Sequence, residues 1–344
     1  MGGLWRSIAA VVLGIALSGS AWALDTLRVL AWPGYADADL VQAFEKRHQV
    51  RVEVTFIDSD DALWDKLNAH GGANFDVFAV NTAELQRYID QGLSVPIDVA
   101  HIPNTRQQLP RFANLQAIPG IMRAGSVHAI PYTYSEMGLI YDRRQFSTPP
   151  DSWEVLWDPR YRGRVLAYLG STHNFSLAAL LLGVADPFRI PQADFPRMVQ
   201  RLIALRRNVL AFYAQPEEAT ELFQQNHVAL LFGNYGSQQV MQLRQAGADI
   251  GYVIPREGAL AWLDCWAVSR GAKNRRLAEA WIDYMLEPQA GRALTQRQGL
   301  ANTLQPSPFM RPGDKIIWLE RVENPNRRTQ LWNRIVSGDQ PGKF

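Results

Sequence analysis

Strand-like and helix-like segments alternate between residues 27 and 90, and this alternation constrains the fold more than any other feature of the sequence. Val50, Val52 and Val54 alternate with charged or polar residues, which is the two-residue period of a β-strand. On either side of this segment, apolar residues recur at helical spacing behind residues that can cap a helix. Three strand–helix units in succession predict a mostly parallel sheet flanked by helices, in a fold of the α/β class.

A second group of strand-like and helix-like segments follows from residue 129, with no flexible linker before it. The chain is therefore predicted to form two α/β lobes that are joined by strands. Ligands of open parallel sheets bind at the carboxyl ends of the strands. Two strand exits of the first region are candidate parts of a binding site for this reason. One exit carries Trp32 and Tyr35, and the other carries Asn81 and Thr82.

Trp262 and Asp264 lie two residues apart in a segment that reads as a strand, so their side chains project from the same face. An aromatic ring beside a fixed negative charge can bind an organic ammonium ion. A core tryptophan beside an aspartate that caps a turn would give the same pattern. The residues alone leave both interpretations open.

The first 23 residues have the pattern of a secretory signal peptide. Arg6 supplies the positive charge, and residues 8–17 form an apolar run that is too short to span a membrane. Ala21 and Ala23 fit the small residues that precede a cleavage site, so we expect an exported, periplasmic protein. The single cysteine, Cys265, excludes an internal disulfide, and a large core must therefore hold the fold together.

The sequence contains no recognisable pattern of catalysis, metal binding or nucleic-acid binding. It has no nucleophile elbow, phosphate-binding loop or dinucleotide fingerprint, and its six histidines lack metal-ligand spacing. An acidic cluster at residues 58–61 is interpreted as a solvated helix N-terminus, where the helix dipole favours negative charge. The formal net charge of +2 gives no reason to expect a nucleic-acid partner. We therefore predict a binding protein without cofactor or metal, and not an enzyme.

Several short segments carry a family resemblance when they are taken in their order along the chain. They are LAWPGY at 30–35, FDVFAV at 75–80, IPY at 130–132, WDPRYRGRV at 157–165, PREG at 255–258, WLD at 262–264 and AKN at 272–274. With this order and spacing, nearly all of the mature chain resembles the periplasmic spermidine/putrescine-binding proteins, the receptors of polyamine ABC transporters.

The resemblance implies a two-lobed periplasmic-binding-protein fold of a type II-like form, with the ligand in the cleft between the lobes. Residues 24–130 and 260–304 would form lobe 1, and residues 131–259 and 305–344 would form lobe 2. It also implies a monomer that captures a small amine and delivers it to an inner-membrane ABC permease. A receptor that signals to a membrane sensor would use the same closure of the lobes, so the sequence leaves that alternative open.

The resemblance also assigns site residues, because aromatic rings in the family sandwich the ligand's methylenes and carboxylates bind its ammonium groups. The positions that match are Trp32, Tyr35, Asn81, Thr82, Trp262 and Asp264. Three further positions lie where relatives carry pocket residues of other types, and they are Tyr134, Asn234 and Tyr235.

The chain departs from the family at its acidic positions. Gly34, Leu169, His173 and Ser237 stand where relatives carry carboxylates, so Asp264 is the acid that clearly remains. Burying an unpaired ammonium is costly, and a pocket with one carboxylate should reject spermidine. Two altered ligands follow from this. One is a diamine held by Asp264 and Glu136, and the other is an ω-amino acid held by Asp264 and a neutral or cationic His173.

Overall fold

Two mixed β-sheets with helices packed on their faces form the two lobes of the protein. The computed structural model describes residues 24–340 and residue 342, so the predicted signal peptide at residues 1–23 lies outside the described residues. None of the helices in the described part of the chain has the length and apolar character that crossing a membrane requires.

The elements follow one another in the alternating order that the sequence predicts. The strands are β1 (Thr26–Ala31), β2 (Arg51–Phe56), β3 (Val77–Asn81), β4 (Ser94–Val95), β5 (Met122–Arg123), β6 (Ser126–Val127), β7 (Ala129–Glu136), β8 (Leu139–Asp142), β9 (Val165–Tyr168), β10 (Ala211–Tyr213), β11 (Leu230–Phe232), β12 (Ile250–Val253), β13 (Ala259–Ser269), β14 (Ala301–Asn302) and β15 (Ile316–Trp318). The α-helices are α1 (Ala38–His48), α2 (Asp60–Asn68), α3 (Thr82–Asp90), α4 (Pro110–Ala113), α5 (Ser171–Leu181), α6 (Phe195–Asn208), α7 (Pro216–Gln225), α8 (Ser237–Gln245), α9 (Arg275–Met285), α10 (Pro288–Gln298) and α11 (Pro325–Val336).

The first sheet has the strand order β14-β7-β13-β3-β1-β2, and β4 and β15 also pair with β13. Strand β1 is parallel to both of its neighbours, β2 and β3, as the strand–helix alternation predicts. Strand β13 is antiparallel to β3 on one side and to β7 on the other. It therefore lies between the parallel part of the sheet and the strand that leads into the other lobe.

The second sheet has the order β10-β9-β11-β8-β12. Strand β9 is parallel to β10 and β11, whereas β8 is antiparallel to β11 and β12. The two-lobed α/β fold is confirmed, but both sheets are mixed and not mostly parallel. Antiparallel pairs arise because a strand that leads out of a lobe and a strand that leads back into it run in opposite directions.

The helices bury the apolar faces that their spacing predicts. In α9, Leu277, Trp281 and Tyr284 recur at helical intervals and are buried against the first sheet. Asn274 caps this helix, because its side-chain oxygen accepts a hydrogen bond of 3.0 Å from the amide of Leu277. The cap marks the residue where the helix begins, and the apolar stripe marks the side that faces the core.

The predicted lobe boundaries fall within two crossover strands. The boundary after residue 130 falls inside β7, which pairs with β13 as far as Glu136. The boundary after residue 259 falls at the first residues of β13. The change of sheet between β7 and β8 comes after Glu136, because Pro131 to Glu136 keep their pairing in the first sheet. The exact limits of the lobes stay a prediction.

Candidate functional site

Four side chains meet at the edge of the first sheet where its parallel strands end. Strand β1 lies between β3 and β2, so the residues that follow these three strands are neighbours in space. Trp32 follows β1, Asp60 follows β2 and Asn81 ends β3, while Asp264 of β13 lies directly opposite Asn81. We call Trp32, Asp60, Asn81 and Asp264 the first-lobe rim. The topology places this rim where open α/β sheets bind ligands.

Asp264 is buried and forms no ion pair within the described residues. Its carboxylate accepts a hydrogen bond of 2.6 Å from the hydroxyl of Tyr35. Burial raises the pKa of Asp264 to about 7, although the Tyr35 hydrogen bond opposes this effect. Burial and the neighbouring Asp264 in turn raise the pKa of Tyr35, which stays a protonated donor. The chain thus leaves a buried negative charge that a bound cation could neutralise.

Asp60 is a second carboxylate of the first-lobe rim. The side-chain amide of Asn81 donates a hydrogen bond of 3.0 Å to Asp60, while its oxygen accepts from the amide of Glu84 at 2.9 Å and caps α3. The Asp60 side chain is exposed, but the surrounding protein atoms remove part of its hydration. This partial desolvation, followed by the charges of Glu84 and Asp264, raises the pKa of Asp60 above its ordinary value.

The acidic cluster forms the solvated helix N-terminus that the sequence predicts, because Asp60 and Asp61 are exposed in the first turn of α2. The helix N-cap is Ser59, whose hydroxyl accepts a hydrogen bond of 3.2 Å from the amide of Ala62. Asp60 itself lies within electrostatic range of Asp264 and of Tyr168 in the other lobe. A signal was available, because Asp60 begins the helix that follows β2 and so lies at the same end of the sheet as Trp32 and Asn81.

Two tryptophans flank these carboxylates. Trp262 is half-buried and packs against the cores of both lobes, so its ring lies where the lobes meet. Trp32 is also half-buried, and its indole N–H finds no acceptor among the described residues. Tyr35 is instead almost fully buried against the rings of Tyr132 and Trp266. Tyr35 therefore orients Asp264, while the tryptophans offer ring surface to a ligand.

The second lobe contributes an aromatic surface without a carboxylate at its centre. Tyr168 ends β9, His173 lies in the first turn of α5, and Asn234 and Tyr235 follow β11. We call these four residues the second-lobe wall. The rings of Tyr168 and His173 stack at 5.4 Å, and Tyr168 is also 6.0 Å from the ring of Tyr235. Tyr168 was not predicted from the sequence, although it lies at the carboxyl end of a parallel strand.

His173 is neutral at physiological pH. Its Nδ1 donates a hydrogen bond of 2.7 Å to the side-chain oxygen of Asn234. Burial lowers the pKa of His173 to about 4, and the positive charge of Arg328 adds to this effect. Of the two states that the sequence analysis left open for His173, the structure therefore favours the neutral one.

Two residues that were predicted to contact the ligand project from the other face of the sheet. Trp262 and Asp264 are opposite Ser135 and Thr133 in the β13–β7 pair, whereas Tyr134 and Glu136 are opposite Leu263 and Ala261. Because side chains alternate, Tyr134 and Glu136 project from the other face of the sheet, away from the first-lobe rim. Thr82 is buried as well, and its hydroxyl lies 3.5 Å from the carbonyl of Leu319.

These positions correct the prediction for the second carboxylate. Glu136 accepts a hydrogen bond of 2.9 Å from Ser307, and the Tyr134 hydroxyl accepts one of 2.7 Å from Arg111. Glu136 therefore cannot hold the far end of a diamine that is bound by Asp264. The acid that accompanies Asp264 at the rim is Asp60.

Gly34 is the position where the family resemblance implies a loop acid. Gly34 has a φ of +84°, which disfavours residues with a side chain. A Cβ atom at this position would lie 2.4 Å from the side chain of Gln298. The side chain of Gln298, at the end of α10, would therefore have to move to admit a side chain at residue 34. Among the described residues, no group of three or more His, Cys, Asp or Glu side chains is arranged to hold a metal ion.

Comparison with known proteins gives one family. A sequence model of the family described as "Bacterial extracellular solute-binding protein" matches residues 39–308. The chain is 24% identical over 278 residues to spermidine/putrescine-binding periplasmic protein 1 of Haemophilus influenzae, which covers 80% of this chain and 74% of that protein. It is 27% identical over 297 residues to the putrescine/agmatine-binding protein of Pseudomonas aeruginosa, covering 80% of this chain and 78% of that protein.

Solved structures give the same fold. The spermidine/putrescine ABC transporter substrate-binding protein PotD of Streptococcus pneumoniae superposes with a TM-score of 0.74 at 22% identity, over 90% of this chain and 98% of that chain. The PotD lipoprotein of Treponema pallidum superposes with a TM-score of 0.77 at 17% identity, over 90% of this chain and 99% of that chain. At these identities the likeness concerns the fold.

Proposed function

This chain belongs to the bacterial extracellular solute-binding proteins, and we propose that it captures a polyamine or a related small amine between its lobes and delivers it to an ABC transporter permease. The observation that carries this proposal is the pair of carboxylates at the first-lobe rim, Asp60 and Asp264. Neither forms an ion pair within the described residues, and each has a pKa above its ordinary value.

The chemistry of this rim suits an organic ammonium ion. A carboxylate that is held without a cation raises the free energy of the empty site, and an ammonium group relieves this cost by pairing with it. The half-buried rings of Trp32 and Trp262 offer apolar faces to the methylene groups between the charges. A small inorganic cation would use neither ring.

The relatives support the same class of ligand, because the similar proteins of Haemophilus influenzae and Pseudomonas aeruginosa are named for spermidine, putrescine and agmatine. The predicted signal peptide and the relatives' periplasmic location suit export of this protein to the periplasm, where we propose that it acts as a monomer. The ω-amino acid alternative is weaker, because a neutral His173 supplies no cation for the carboxylate end.

A titration of tryptophan fluorescence tests the proposal on the exported protein after ligand carried over from the cell has been removed by refolding. We expect saturable binding of putrescine or another small amine, because both tryptophans of the cleft would sense it. Absence of binding for putrescine, cadaverine, agmatine, spermidine and 4-aminobutyrate would contradict the proposal.

Two neighbouring aspartates of α2 provide a matched pair of variants. Asp60→Asn should weaken putrescine binding by roughly fivefold, because the exposed charge contributes modestly. Asp61→Asn removes the same charge from the next residue of the helix, which is exposed, and it should leave the affinity unchanged. Equal effects of the two substitutions would mean that Asp60 acts only through the general field of the lobe.

A further inference from the structure

We infer that the second-lobe wall accommodates an uncharged part of the ligand, so that the protein selects small amines with no more than two cationic groups, both bound by Asp60 and Asp264 of the first lobe. This inference rests on the proposed function and narrows it to a class of substrate. It concerns the distribution of charge between the two sides of the cleft.

The first-lobe rim holds two carboxylates that are close enough to influence each other. Asn81 connects them, because its side chain donates to Asp60 and its backbone position is directly opposite Asp264. Asp264 in turn raises the pKa of Asp60 through the repulsion of like charges. Two cationic groups, or one group shared between both acids, would remove this repulsion.

The second-lobe wall offers nothing comparable to an ammonium group. Its members are two phenols, one amide and the neutral His173, whose Nδ1 is already bonded to Asn234 at 2.7 Å. Behind His173 lies the fully buried guanidinium of Arg328, which lowers the pKa of that histidine and is itself paired with Glu323 at 2.7 Å. An ammonium ion against this wall would lose its hydration without gaining a carboxylate.

One acid of the second lobe comes near the wall without belonging to it. Burial raises the pKa of Tyr235, and the charge of Glu217, at the start of α7, adds a smaller effect in the same direction. The carboxylate is exposed and accepts a hydrogen bond of 2.9 Å from Gln242. It is therefore already hydrogen-bonded to α8 and is not part of the wall, so it provides no partner there for a third ammonium.

The consequence is a preference that separates putrescine from spermidine. Putrescine presents two ammonium groups, which match the two acids of the rim, whereas the third ammonium of spermidine has no carboxylate to pair with in the second-lobe wall. Binding measured by calorimetry on the exported, refolded protein should therefore be at least tenfold weaker for spermidine than for putrescine, as roughly expected for one unpaired charge.

A gain of function gives the sharper test. His173→Glu adds a carboxylate to the second-lobe wall, and we expect it to raise the affinity for spermidine by roughly tenfold. His227→Glu adds the same charge to the same lobe at an exposed position before β11, on the opposite edge of the sheet from Asn234, and it should give no gain. If His173→Glu does not fold, Leu169→Asp places the charge at the exposed residue after β9.

The outcomes separate this inference from the proposed function. Wild-type affinities for spermidine and putrescine within a few-fold of each other would overturn the inference and leave the proposed function standing. A loss of spermidine binding in Glu217→Gln would also overturn it, because the third cation would then be at the margin of the second lobe. Failure of every amine to bind would overturn the proposed function, and the inference with it.

Discussion

Two buried carboxylates on neighbouring crossover strands, Asp264 of β13 and Glu136 of β7, have opposite relations to the cleft. Both are almost inaccessible to solvent, with 7% of Asp264 and 0% of Glu136 exposed. Burial raises the pKa of each. Asp264 lies on the face of the sheet that carries Trp262 and meets the second lobe, whereas Glu136 lies on the reverse face.

The partners of the two acids explain what each can do. Asp264 accepts a hydrogen bond from one tyrosine and leaves its charge available to a ligand, whereas Glu136 accepts a hydrogen bond through one oxygen from Ser307, which follows β14. The backbone carbonyl of Glu136 also accepts from the hydroxyl of Tyr252, at 2.6 Å, in the second lobe. Glu136 therefore links the segments that connect the lobes. Burial and a raised pKa do not by themselves identify a ligand-binding residue. The side chain must also project from the face of the strand that borders the cleft.

Substitution of each acid by its amide is the strongest test of this contrast. Asp264→Asn should weaken binding of putrescine by roughly 100-fold, because loss of one partner of a buried charge pair costs about 2–5 kcal/mol. Glu136→Gln keeps the size and the bond to Ser307, and it should change the affinity by less than about twofold. Calorimetric titration of both variants checks this expectation.

The contrast between the two faces would be lost in either of two cases. Retention of wild-type affinity in Asp264→Asn would place the cation elsewhere in the cleft. A large loss in Glu136→Gln, with an unchanged melting temperature, would mean that the reverse face takes part in ligand capture. A loss that is accompanied by a lower melting temperature would instead report on the connections between the lobes.

The sequence predicts most of the fold, because its periodicities are local. Valines at every second residue in β2 and the apolar stripe of α9 lie where their spacing requires. The antiparallel pairing of β13 was not predictable in this way, because it joins residues that are more than 120 positions apart in the chain. Pairing over such distances depends on the tertiary arrangement and leaves no periodic signal.

The candidate site was predictable where a side chain follows directly from strand geometry. Trp262 and Asp264 are on one face because they are two residues apart. The face of Glu136 depends on its register with Ala261, and the role of Asp60 depends on β2 lying next to β1, which in turn pairs with β3. Neither the register nor the neighbouring strand can be inferred from the order of residues in one sequence.

The pH dependence of binding tests the same contrast with a smaller effect. Asp264 has a pKa of about 7 in the free protein, and an ammonium ion binds its ionised form. Below pH 7 the carboxyl group carries a proton that must leave before the cation binds, so the affinity should fall as the pH decreases. For one such group, the affinity for putrescine should be roughly tenfold lower at pH 6 than at pH 8.

Calorimetry in two buffers of different ionisation enthalpy measures the proton that binding releases. We expect release near pH 7 in the wild-type protein and in Glu136→Gln, because Glu136 does not meet the ligand. Asp60 also has a raised pKa and adds to the release in the same direction. A pH-independent affinity between pH 6 and 8, with no released proton, would mean that Asp264 is ionised before the ligand arrives.

The smallest expected effect concerns the tyrosines that support each face. Tyr35→Phe removes the hydrogen bond of 2.6 Å to Asp264, so the pKa of Asp264 should rise further and putrescine binding at pH 7 should weaken by roughly fivefold, or about 1 kcal/mol. Tyr134→Phe removes the partner of Arg111 and Ser307 on the reverse face, and it should lower the melting temperature without changing the affinity. Because a higher pH ionises Asp264 without help from Tyr35, the defect of Tyr35→Phe should shrink between pH 7 and pH 8.5. A defect that stays constant over this range would assign Tyr35 to the shape of the cleft and not to the charge of Asp264.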